Sequence, residues 1–185
     1  MKKIFALTAV FCLLAVAAMA QKKADFSGTW TLDVAKSQLG ERSRVESMTM
    51  TVTQTDKNLK VSTETKRQAP PADAAGGGRP GGGGGFGRGG FGGGDGTVDY
   101  SLDGKDTTVE VEGPNGKMPV KYKGSMDGGK ANLSSSRSFS GPNGDVSITT
   151  KETWSLSEDG KTLTVVRETA SPRGTNSSTM VFVKK

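Results

Sequence analysis

The stretch Val146 to Leu156 reads VSITTKETWSL. Its even positions carry Val146, Ile148, Thr150, Glu152, Trp154 and Leu156, and its odd positions carry Ser, Thr and Lys only. Side chains of an extended chain point alternately to opposite faces, so a period of two with one apolar face describes a half-buried β-strand. The same pattern recurs on both sides of this stretch. Leu133, Ser135, Arg137 and Phe139 share one face upstream, and Leu163, Val165 and Arg167 share one downstream. Gly28 to Leu32, Ser47 to Val52, Leu59 to Thr63, Val98 to Leu102, Thr107 to Val111, Met118 to Tyr122 and Asn176 to Val183 alternate likewise.

Turn dipeptides separate these runs: Asp103-Gly104, Asn115-Gly116, Gly128-Gly129, Asn143-Gly144 and Asp159-Gly160. Asn-Gly and Asp-Gly favour the left-handed conformations of tight hairpins. Only Val34 to Leu39 has room for a turn or two of helix. About ten short strands joined by hairpins predict an all-β, antiparallel, up-and-down sheet. Such a sheet must bury its apolar face, and curling onto itself also removes exposed edges. The expected architecture is therefore a β-barrel of 8–10 strands, with a two-sheet sandwich as the competing arrangement.

Two segments fall outside this pattern. Lys2 and Lys3 precede an apolar run from Ile4 to Ala17, and Ala18-Met19-Ala20 follows with small residues where a signal peptidase reads. The run is shorter than the ~20 residues that span a bilayer. Residues 1–20 are therefore expected to be a cleaved signal peptide, with 21–185 as the exported barrel domain, periplasmic or secreted. Ala69 to Gly96 holds more than half of the chain's 27 glycines. Glycine loses much backbone entropy on ordering and has no side chain to bury, so a flexible loop is expected over 69–96. Its Phe86-Gly-Arg88-Gly-Gly-Phe91 has the form of an RNA-binding RGG segment, but with two arginines on an exported chain no nucleic-acid partner is expected.

Composition narrows the chemistry. Histidine is absent, and the single cysteine, Cys12, lies in the leader. That removes the commonest general base, the commonest metal ligand and any thiolate or disulfide from the mature chain. No serine sits in a nucleophile elbow, and Glu152 is the only carboxylate whose alternation turns it inward. The expectation is a non-enzyme without cofactor or metal. The net charge falls from +6 to +4 with the two leader lysines (25 − 2 − 19 = 4), a magnitude suited to solubility.

Asp25-Phe26-Ser27-Gly28-Thr29-Trp30-Thr31-Leu32 resembles the Gly-x-Trp opening strand of the calycin group, the lipocalins and fatty-acid-binding proteins. Together with Glu152-Thr153-Trp154-Ser155-Leu156 and Asp159-Gly160-Lys161-Thr162-Leu163, it is similar to small bacterial secreted proteins described as lipocalin-like. The resemblance implies a barrel that holds a small hydrophobic molecule, and no conserved chemistry. The chain departs from it in its glycine-rich loop and in having no room for a two-helix lid between Asp33 and Ser47.

Alternation turns Arg137, Glu152 and Arg167 inward among apolar neighbours, together with Tyr100, Tyr122, Trp30 and Trp154. A buried unpaired charge is costly, so the two arginines and one glutamate must pair, meet water or meet a ligand. Two arrangements fit: a structural Arg–Glu pair, or an interior with excess positive charge that takes the acidic head of an amphipathic ligand. The tryptophans fit barrel-floor packing or ligand contact, and the tyrosine hydroxyls need partners. The small Thr63, Gly124 and Ser135 are expected to leave interior room. The two functions that follow are an exported carrier of a small hydrophobic or amphipathic, anionic molecule, and a non-catalytic structural or interaction protein of the cell envelope whose barrel its own side chains fill.

Overall fold

The structure, a computed structural model, describes residues 24–40, 43–69, 95–113, 116–141 and 144–185. The expected signal peptide and nearly all of the glycine-rich stretch lie outside the described residues. No described residue is helical. The strands are β1 (Gly28–Leu32), β2 (Val45–Gln54), β3 (Asn58–Arg67), β4 (Gly96–Ser101), β5 (Thr107–Gly113), β6 (Gly116–Asp127), β7 (Lys130–Gly141), β8 (Gly144–Leu156), β9 (Thr162–Ser171) and β10 (Gly174–Lys184). They form one antiparallel sheet in the order β4-β3-β2-β1-β10-β9-β8-β7-β6-β5. Every consecutive pair is a hairpin neighbour except β4 and β5, and the first and last strands pair with each other.

The turn chemistry explains most of these hairpins. At the β6–β7 turn Asp127 faces Lys130 across two residues, Gly128 (φ 53°) and Gly129 (φ 80°). Positive φ at both central positions gives a turn whose twist matches the flanking strands, and glycine adopts it without steric cost.

Asp103-Gly104 behaves differently from its sequence signal. The expected hairpin between β4 and β5 does not form, because β4 docks across β6 instead. Asp103 makes an isolated bridge with Ser125, and the Gly104 N–H donates to the Gly124 carbonyl at 3.0 Å. Gly124 permits this approach: a Cβ there would lie 2.9 Å from the Ser101 carbonyl oxygen and 3.1 Å from the Tyr100 Cβ. Gly124 therefore leaves no interior room, since the backbone of β4 already fills the space. The sheet closes through this side-chain seam, with Tyr100 and Tyr122 edge-to-face across it at 5.6 Å between ring centroids, and makes a nearly closed barrel.

Val34 to Leu39 forms a turn and then runs beside β10, where Gln38 and Thr179 exchange backbone hydrogen bonds of 2.7 and 2.9 Å. A helix does not form there, because β10 offers these ladder partners.

The core sits at one end. Along β8, Trp154, Glu152 and Thr150 are buried while Ile148 and Val146 are half-buried, and β3, β7, β9 and β10 show the same gradient from the same end. Phe26 caps that end with no solvent exposure and packs edge-on against Trp154 at 5.9 Å. Its carbonyl accepts the Trp30 indole N–H at 2.9 Å, and the Gln54 side chain holds the Phe26 N–H and the Ala24 carbonyl. The other end has no such plug among the described residues. The one register shift lies on β2 between Val45 and Ser47, so β7, β8 and β9 run in unbroken register and their inward positions stay inward.

Candidate functional site

At the boundary between the packed and open ends, Glu152 on β8 stands directly opposite Arg167 on β9. The Arg167 Nε donates to Glu152 Oε1 at 2.7 Å, and the Trp154 indole N–H donates to Oε2 at 2.9 Å. Both carboxylate oxygens are thus engaged in a side chain that is 2% exposed, against 16% for the arginine. Burial pushes the Glu152 carboxyl above its ordinary value; the Arg167 charge and the bonds from Trp154 and Arg167 oppose that shift. Of the two arrangements left open by the sequence, the Arg–Glu pair is present for this arginine.

Tyr100 is buried close to this pair. Desolvation raises its phenol well above the usual range, and the neighbouring Glu152 charge adds to the effect. Burial also raises the Tyr122 phenol, while the Arg137 charge opposes it. Trp30 lies in the floor beneath, with no exposure, and the Lys184 ammonium sits 5.2 Å from its ring centroid.

Arg137 on β7 differs from Arg167. It is half-buried between Val120 of β6 and Ile148 of β8, and its Nε is buried without a hydrogen-bond partner. An unsatisfied buried donor costs ~1–3 kcal/mol.

Arg137 lines a cavity of about 480 Å³ at the open end, with Phe139, Val146, Ile148 and Pro172 as its apolar wall and Arg173 beyond them. An adjoining cavity of about 510 Å³ shares Thr169 with the first. Its apolar wall is Leu39, Val45, Met48 and Met180, and its polar wall includes Arg67, Arg167, Asn176 and Ser178. Thr169 is bonded to Thr150 through their hydroxyls at 3.2 Å. Volumes of this size suit small-molecule ligands.

Of the residues expected from alternation, Arg137 and Arg167 line these two cavities. Glu152, Tyr100, Tyr122, Trp30 and Trp154 lie beneath them, in the packed half. Ser135 and Thr63 stand at the boundary, half-buried and buried respectively. Arg67 and Thr169 were missed, although both have a parity signal: Arg67 continues the Leu59, Val61, Thr63 face of β3, and Thr169 continues the Leu163, Val165, Arg167 face of β9. Arg173 lies in the β9–β10 turn, where alternation says nothing.

Among the described residues no three acidic side chains gather as a metal site, and no helix is long and apolar enough to cross a membrane.

No protein-family model matches the chain, and no curated protein matches it. Among solved structures, one similar chain is the zebrafish ileal bile acid-binding protein complexed with cholic acid, at 16% identity and a TM-score of 0.47, over 86% of this chain and 98% of that one. At that distance the likeness adds nothing to the barrel described from the chain's own ladders.

Proposed function

We propose that the protein is an exported, non-catalytic binding protein, periplasmic or secreted, that holds a small amphipathic anion in the open end of its barrel. The observation that carries this reading is Arg137, whose buried Nε lacks a partner beside an apolar wall of Phe139, Val146 and Ile148. A carboxylate would supply the missing acceptor, and a guanidinium binds it through parallel bonds. The apolar body of the ligand would lie along the wall and leave water. The packed half contributes rigidity, since side chains locked by packing hold a site on strands more firmly than loops do.

The test is a fluorescence titration with a dansyl-labelled undecanoate and with the corresponding neutral alcohol. The acid should bind wild type, and Arg137→Met should weaken it roughly tenfold or more, the size expected for a lost hydrogen bond to a charged group. The alcohol should discriminate much less between the two proteins. Equal binding of the acid to wild type and variant overturns the reading.

The filled lower half supports the second reading, a structural or interaction protein of the cell envelope. Failure of wild type to bind the acid at all, with no small molecule retained through native mass spectrometry from its own host, would favour it.

A further inference from the structure

The two cavities at the open end are chemically unequal. The Arg137 cavity is walled mainly by Phe139, Val146, Ile148 and Pro172, whereas the adjoining one presents Arg67, Arg167, Thr169, Asn176 and Ser178. Their linings together carry four arginines, Arg67, Arg137, Arg167 and Arg173, and no carboxylate. The Glu152 carboxylate beneath pairs with Arg167. The lining is strongly cationic, and the cations lie on both sides of Thr169.

We infer that the two cavities form one bipartite site for an amphipathic dianion, an apolar body with an acidic group at each end, as in a long-chain α,ω-dicarboxylate. This rests on the anion-binding reading above and deepens it. A single acid on Arg137 would send its apolar tail across Thr169 into the polar wall of Arg67, Asn176 and Ser178, whose water it would displace without replacing the hydrogen bonds. The reverse placement, with the acid at Arg67, would bury the tail against Arg137 and leave that Nε without an acceptor. An acid at each end meets both demands: one carboxylate takes Arg137, and the other takes Arg67 with Asn176 beside it. The apolar residues Met48 and Met180 of the second cavity and Ile148 of the first then line the path of the chain.

The experiment measures displacement of the dansyl probe by hexadecanedioate and by its monomethyl ester, which keeps the length and removes one charge. Wild type should bind the dianion roughly tenfold tighter than the half-ester. Arg67→Met should bring the ratio of the two affinities to about one, and Arg67 lies exposed at the end of β3, where the change leaves the core untouched. Arg137→Met should weaken both ligands. If the half-ester binds wild type as well as the dianion does, or if Arg67→Met keeps the wild-type ratio, the bipartite site falls while the anion-binding reading stands. If neither ligand displaces the probe from wild type, both fall.

Discussion

Trp154 and Ile148 sit on the same face of the same strand, three inward steps apart, yet they belong to different environments. Trp154 has no exposure and is enclosed by Phe26 and the Glu152 carboxylate, while Ile148 is half-buried and walls a cavity. The two ends of the barrel obey one alternation rule and differ in what lies inside. At the packed end the segment around Phe26 folds under the strands, and aromatic side chains meet across the interior. At the open end the inward positions include Arg137, Thr169 and Asn176, which do not meet to exclude water. An inward-facing residue is core only where its opposite wall is close enough to touch it.

Substitutions at the two ends should therefore differ in cost. The largest effect is expected at the packed end: Trp154→Ala should destabilise the protein by about 3–5 kcal/mol in urea unfolding, because a fully buried indole is lost and Glu152 loses a donor. A loss below about 1 kcal/mol would mean that this end is as loosely packed as the other.

Glu152→Ala should cost a comparable amount, about 3–5 kcal/mol, because it leaves Arg167 charged and nearly buried without its partner. Glu152→Leu combined with Arg167→Met should recover most of that loss, since an apolar pair of similar volume removes both charges. The same carboxyl has a pH signature. Its folded pKa lies above the ordinary value of 4.5, mainly through burial, so the folded state holds its proton more tightly than the unfolded state does. Its contribution is fully present below 4.5 and is lost as pH rises through the raised folded value. Asp25, Asp33, Asp103 and Asp159 are lowered by hydrogen bonds, chiefly to neighbouring Ser and Lys groups, and act with the opposite sign. The difference in unfolding free energy between wild type and Glu152→Gln, followed upward from pH 4.5, isolates the glutamate; a flat difference refutes the assignment.

Gly124→Ala tests the seam that joins the sheet's ends. A methyl 2.9 Å from the Ser101 carbonyl must push β4 away, at a cost of about 1–3 kcal/mol, and amide exchange should quicken in β4 before it does in β8. The smallest effect belongs to the open end. Ile148→Ala should cost about 1 kcal/mol or less, because its surroundings are already solvent-accessible, yet it should weaken binding of the dansyl probe.

The strands and their inward faces were legible because alternation and turn dipeptides are local signals. Every inward assignment on β7, β8 and β9 holds, from Leu133 to Arg167, since no bulge interrupts those ladders. The seam was not legible. Asp103-Gly104 reads as a hairpin, and only the packing of β4 onto Gly124 turns it into a closure point. Within the site, parity placed Arg137 and Arg167 on the inner wall but did not separate the arginine that pairs with Glu152 from the one whose Nε lacks a partner. That distinction depends on which residue stands directly opposite on the next strand.

The order of apolar and polar residues along the chain determined by itself an antiparallel β-structure with charged groups turned inward, because a strand's geometry forces side chains to alternate. Tertiary structure alone decided where the sheet closes, which end the Phe26 segment fills, and that Arg137 faces a cavity while Arg167 faces a carboxylate. Those outcomes depend on distances between residues far apart in sequence, which a period of two does not encode.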